Sequence, residues 1–169
     1  MTIGTQKVCH IAFVVSDIKA VTKRWSEILG VSMPDISYLP GPDDIPCYTD
    51  GKPGDYSDVQ ISVIQLENIL LEFVQPGKNP SPWRTFMDEH GEGVQHISFV
   101  VPDKHKALDA VKEVTGSAPF HAGYYPGGSY IFLDTFSKLG CEINIKADED
   151  NTSRIAEYKQ DPGASLEEY

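Results

Sequence analysis

The sequence predicts an α+β fold made of two paired modules. Each module runs β-α-β-β-β, with one sheet face on helices and the other turned to a cavity. Three observations predict it. The runs His10-Ile-Ala-Phe-Val-Val-Ser-Asp17 and His96-Ile-Ser-Phe-Val-Val-Pro-Asp103 agree at six of eight positions, 86 residues apart, which marks an internal repeat. Each run alternates faces like a strand and leads into an amphipathic helical stretch. Ionisable residues also recur inside strands whose opposite face is apolar, the pattern of a half-covered sheet.

The elements follow in order. The strand through His10 ends at Asp17, whose side-chain oxygen suits a helix N-cap. A helix is predicted over Ile18–Leu29, with Val21, Trp25, Ile28 and Leu29 as its apolar positions. A strand over Val31–Tyr38 follows. Leu39–Asp58 holds Pro40, Pro42, Pro46 and Pro53, three glycines and five aspartates. That punctuation forbids a long helix or a central strand, so the segment reads as a loop, either a lid or the rim of a site. Strands over Val59–Ile64 and Ile69–Val74 complete the first module. A short linker helix, Trp83–His90, ends at Gly91-Glu-Gly93. The second module repeats the order: the strand through His96, a helix over Lys104–Val114 capped by Asp103, then strands over Ala118–Ala122, Ser129–Leu133 and Cys141–Ile145. One domain therefore spans residues 1–146, with module one at about 7–76, the linker helix at 80–90 and module two at about 94–146. Residues 147–169 carry seven acids against Arg154 and Lys159 and read as an acidic, partly ordered, solvated extension.

Composition narrows the function. The 169 residues include 14 Lys and Arg against 25 Asp and Glu, a net charge of −11, which argues against nucleic acid as a partner. No apolar run approaches the ~18 residues of a membrane span. Met1–Lys7 is polar, and no apolar stretch with a cleavage site follows it, so no secretory signal is expected. Three cysteines, Cys9, Cys47 and Cys141, form no CxxC pair, which suits a reduced, cytoplasmic protein without structural disulfides.

Strand alternation places His10 beside Ala12 and Val14, and His96 beside Ser98 and Val100. Glu72 and Glu142 sit in otherwise apolar strands, where an unpaired carboxylate costs several kcal/mol, so each needs a partner. A divalent cation would satisfy both. His10 and Glu72 are 62 residues apart and His96 and Glu142 are 46 apart; the difference, 16, is close to the length of the irregular Leu39–Asp58 segment. The halves can therefore superpose with each His and each Glu at equivalent places. Two imidazoles and two carboxylates make a set suited to Ni²⁺, Co²⁺, Zn²⁺, Mn²⁺ or Fe²⁺, and too rich in nitrogen for Ca²⁺.

Cys9-His10-Ile-Ala-Phe, Leu71-Glu72-Phe-Val-Gln-Pro76, Gly91-Glu-Gly-Val-Gln-His96-Ile-Ser-Phe99 and Gly140-Cys-Glu142-Ile together resemble the vicinal oxygen chelate superfamily over about residues 7–146. The branch that looks most similar holds glyoxalase I (lactoylglutathione lyase) and methylmalonyl-CoA epimerase. The resemblance implies the glyoxalase/bleomycin-resistance/dioxygenase fold, whose βαβββ modules curl around one divalent metal. It also implies that His10, Glu72, His96 and Glu142 fall on the four ligand positions. In the glyoxalase branch a ligand Glu doubles as the proton-transfer base. Glu142 is then the first candidate base, with Glu72 a second on the opposite face. Gln60 stands where some bacterial epimerases carry a further Glu, and Gln95 stands where a second His often precedes the ligand.

The implied activity is that of a metal-dependent epimerase, isomerase or lyase removing a proton next to a carbonyl. An Fe²⁺-dependent ring-cleaving dioxygenase and a non-catalytic, drug-sequestering binding protein are the alternatives within the fold. The expected partner is a small molecule, a thioester or other α-carbonyl compound. Tyr124, Tyr125 and Tyr130 flank Pro126-Gly-Gly128 as a rim for it, and His121 reads as a surface histidine or a proton relay. A homodimer is an expected addition, since both modules lie in one chain.

Overall fold

The computed structural model describes residues 1–162. In the first half β1 (Val8–Val14) leads to α1 (Ile18–Leu29), β2 (Ser37–Tyr38), β3 (Cys47–Thr49), β4 (Lys52–Gly54), β5 (Gln60–Gln65) and β6 (Leu70–Gln75). Then α2 (Pro82–His90) links to β7 (Gly93–Val100), α3 (Lys104–Thr115), β8 (Pro119–Tyr125), β9 (Gly128–Leu133), α4 (Phe136–Leu139), β10 (Glu142–Asp148) and α5 (Thr152–Gln160). The strands form one mixed sheet in the order β2-β5-β6-β1-β7-β10-β9-β8-β3-β4. The two modules meet at its centre, where β1 and β7 run antiparallel, and the sheet curls into a half-barrel.

Asp17 and Asp103 cap α1 and α3 as the sequence predicts, and Ser81 caps α2. Asp17 accepts from the Ala20 N–H, Asp103 from the Lys106 N–H, and Ser81 opens α2 by accepting from the Arg84 N–H. Apolar burial holds the helices on the outer face. Ile18, Val21 and Trp25 of α1 pack on Ile11, Phe13, Leu71 and Phe73. In the second half Ala107, Leu108 and Val111 of α3 pack on Phe99, Ile143 and Ile145. A third cluster lies on the inner face and joins Val14, Cys47, Tyr56, Val74, Trp83 and Phe132.

Three regions differ from the sequence-based expectation. The strand expected over Val31–Tyr38 is confined to Ser37–Tyr38, which pairs with Ile61 and Gln60. Leu39–Asp58 is not wholly irregular, because Cys47–Gly54 forms a hairpin turning on Asp50 (φ 50°) and Gly51 (φ 72°). Two left-handed residues, the second a glycine, give a turn whose twist matches the flanking strands. The hairpin pairs with β8 of the second module, through Tyr48 opposite Ala122, and so ties the insertion of one half to the sheet edge of the other. Nor is 147–160 a solvated extension. β10 runs to Asp148, and α5 docks through buried Ile155 and Tyr158. Buried Asn151 donates to the Tyr125 and Gly128 carbonyls. Two apolar residues in a charged nine-residue helix suffice to seat it. The rest of the acidic segment, 163–169, lies outside the described residues.

Candidate metal centre

The centre is built by the register of β1 on β7. His10 lies opposite Ser98, and His96 opposite Ala12. Each imidazole thus faces a small residue across the strand pair, which leaves both rings room to turn inward. Their Nε2 atoms lie 2.9 Å apart, with the rings 70° from coplanar. Glu72 arrives on β6, opposite Ala12, and its Oε1 is 4.0 Å from His96 Nε2. One donor atom from each of His10, Glu72 and His96 lies within 4.8 Å of the other two. Glu72 keeps 16% of its side chain exposed and lines a cavity of about 210 Å³ with both histidines and Asn144. Tyr56, Trp83, Tyr130 and Phe132 give that cavity its apolar walls.

Burial dominates the electrostatics. Desolvation, with the nearby Lys146 charge, lowers His10 to about 3. Desolvation also holds His96 well below its ordinary range, helped by His10 and Lys146. Both rings are therefore neutral at pH 7 and each keeps a lone pair. Glu72 is raised by burial, against the opposing pull of Lys146. The tautomer of His96 follows from its neighbour. Gln95 Nε2 donates to Glu142 Oε2 at 3.2 Å, which turns Gln95 Oε1 toward His96 Nδ1, 3.1 Å away. An amide oxygen only accepts, so His96 carries its proton on Nδ1 and presents a bare Nε2 to the cluster. Such a bond behind an imidazole is the usual support of a metal ligand.

The donor set fits a transition metal. The His10 and His96 Nε2 atoms and the Glu72 carboxylate stand close enough together that one ion would reach all three. Two imidazoles and one carboxylate suit the borderline ions.

Glu142 is not in this cluster. It lies opposite His96 on β10, one pleat before Asn144, and lines a separate cavity with Thr49, Glu89 and His90. Burial, then Asp134 and Glu89, raises it to about 8. Register gives the reason. In the first module Glu72 lies opposite Ala12, two residues after His10; in the second, Asn144 lies opposite Ser98, two residues after His96. The repeat partner of Glu72 is therefore Asn144, and that of Glu142 is Leu70. Period-two alternation puts Glu142 and Asn144 on one face and cannot choose between them. Asn144 Oδ1 accepts from Ser98 Oγ at 2.7 Å.

The remaining candidates divide. Tyr125 and Tyr130 line the cavity, whereas Tyr124 is buried in the α3 cluster under the Arg154 guanidinium. His121 is no surface residue. It is fully buried among Tyr56, Trp83 and Phe132, with Nδ1 2.9 Å from Thr49 Oγ1. Cys9, Cys47 and Cys141 are all free thiols.

The family model of the glyoxalase/bleomycin resistance protein/dioxygenase superfamily matches residues 9–132. The chain belongs to this superfamily. No curated protein matches the sequence of this superfamily member. Its fold is similar to that of a hypothetical protein from Bacillus halodurans C-125 (22% identity, 85% of this chain and 95% of that one, TM-score 0.57). It is similar also to methylmalonyl-CoA epimerase from Mycobacterium tuberculosis (13% identity, 91% and 95% covered, TM-score 0.57). A Streptomyces coelicolor methylmalonyl-CoA epimerase in complex with 2-nitronate-propionyl-CoA gives 16% identity, 84% and 94% coverage and a TM-score of 0.55. These likenesses are likenesses of fold. No helix among the described residues is long and apolar enough to cross a membrane.

Proposed function

We propose that this superfamily member is a divalent-metal-dependent isomerase or lyase that removes a proton next to a carbonyl. The observation that carries the reading is the convergence of His10, Glu72 and His96 inside an apolar cavity. The cation would be held by the two Nε2 atoms and the Glu72 carboxylate. When bound, it supplies Lewis acidity that stabilises negative charge developing on a carbonyl oxygen.

The chain's own residues do the rest. Tyr56, Trp83 and Phe132 exclude water from the reacting carbon. Glu72, whose carboxylate lines the cavity beside both histidines, takes the proton. Glu142, in its separate cavity, acts through Gln95 on the orientation of His96. Glu72 is the sole carboxylate lining the cavity that holds both histidines, among the described residues. Proton removal and return on one face, the pattern of an isomerase or lyase, therefore suits it better than a two-base epimerisation.

The test is solvent deuterium incorporation into methylmalonyl-CoA and into the hemithioacetal of methylglyoxal and glutathione, with Ni²⁺-, Co²⁺- or Zn²⁺-loaded protein. Metal-dependent exchange lost in Glu72→Gln supports the reading. No exchange with any metal contradicts it.

One observation favours a second reading. Asn144 in place of a second carboxylate leaves two His and one carboxylate, the set of non-haem Fe²⁺ oxygenases with open positions. Oxygen uptake by the Fe²⁺-loaded protein with catechol would favour it.

A further inference from the structure

Lys146 follows Glu142 and Asn144 on the inner face of β10 and lines the cavity beside the metal-donor cluster. Among the lining residues it is the only Lys or Arg. Among the described residues no carboxylate oxygen lies within 4.0 Å of its ammonium, whereas Lys104 is paired with Glu149 at 2.9 Å.

An ammonium with no carboxylate against it, on the wall of a cavity that is otherwise largely apolar, attracts an anion. A single cationic side chain matches one anionic group, and a polyphosphate would need more. The rest of the ligand must suit Trp83, Tyr56 and Phe132.

We propose that Lys146 is the anion-recognising residue of the cavity, and that the molecule bound there is a small carboxylate with an apolar body. The proposal deepens the proposed function by naming its substrate class. The carboxylate preference itself needs no metal, so the two readings can fail separately.

The experiment is calorimetric titration of EDTA-treated protein with 3-phenylpropanoate and with its neutral isostere, 3-phenylpropanamide. The wild type binds the acid about 10- to 100-fold more tightly than the amide, the range expected of one charge-assisted hydrogen bond. The preference disappears in Lys146→Met, which keeps the stem, and in Lys146→Gln as a second uncharged variant. Lys146→Arg keeps it. An unchanged preference in both uncharged variants, equal binding of acid and amide by the wild type, or binding of neither overturns the proposal. If a parallel Zn²⁺ titration shows no metal binding, the proposed function fails while the acid–amide comparison still decides this one.

Discussion

His10 Nε2 and His96 Nε2 meet 2.9 Å apart although 86 residues separate them. The meeting is a product of strand register, and one side chain behind it fixes its chemistry. Gln95 joins His96 Nδ1 to Glu142, so losing Gln95 should release the His96 tautomer. Competition titration with a chelator should find Zn²⁺ affinity about 10- to 100-fold weaker in Gln95→Leu. Glu142→Gln, which keeps an acceptor for the same bond, should stay within about tenfold of the wild type. A loss in Glu142→Gln as large as in His96→Ala would make Glu142 a ligand and refute its placement outside the centre.

Asn144 offers the opposite test. As the repeat partner of Glu72, it stands where a carboxylate would add charge to the donor set. Asn144→Glu should therefore tighten Zn²⁺ binding by about tenfold or more. If Glu at 144 leaves the affinity unchanged, the register equivalence has no bearing on the metal.

Much of this architecture was legible in the residues. The repeated His-Ile-x-Phe-Val-Val run placed both central strands and both histidines, and Asp17 and Asp103 marked the helix starts. The place of Glu142 outside the cluster has a physical origin. Alternation reports which face a residue takes, but the partner strand decides where along that face it lies. Glu142 and Asn144 differ only in that second coordinate. The hairpin had a local signal, the Asp50-Gly51 pair, but its partner strand β8 lies about seventy residues on, and no local pattern names it. The apolar part of the α5 seating rests on Ile155 and Tyr158, too few to stand out from an acidic background.

Gly51 tests the hairpin. Its φ of 72° suits glycine, and a Cβ there would meet nothing within 4 Å, so Gly51→Ala should report backbone strain alone. The expected cost is about 1 kcal/mol in urea unfolding. A neutral or stabilising effect would mean that the turn is not left-handed at this position.

His121 should make stability fall with acid. Burial lowers it to about 3, while in the unfolded chain it titrates near 6.5. Below pH 6.5 the unfolded state binds a proton that the native state refuses, so stability drops as pH falls from 6.5 toward 3. The slope approaches about 1.4 kcal/mol per pH unit for this one site. Urea unfolding from pH 7.5 to 4.5 should show that slope in the difference between wild type and His121→Gln. Parallel curves for the two proteins would show that His121 is not buried in its neutral form.

The central claim is that His10, Glu72 and His96 hold a metal ion. Elemental analysis of tag-free protein, with His96→Ala beside it, tests this most directly. The account predicts about one transition-metal ion per chain in the wild type and a loss of most of it in the variant. Wild-type protein that stays metal-free after reconstitution with Zn²⁺, Ni²⁺, Co²⁺, Mn²⁺ and Fe²⁺ would contradict it.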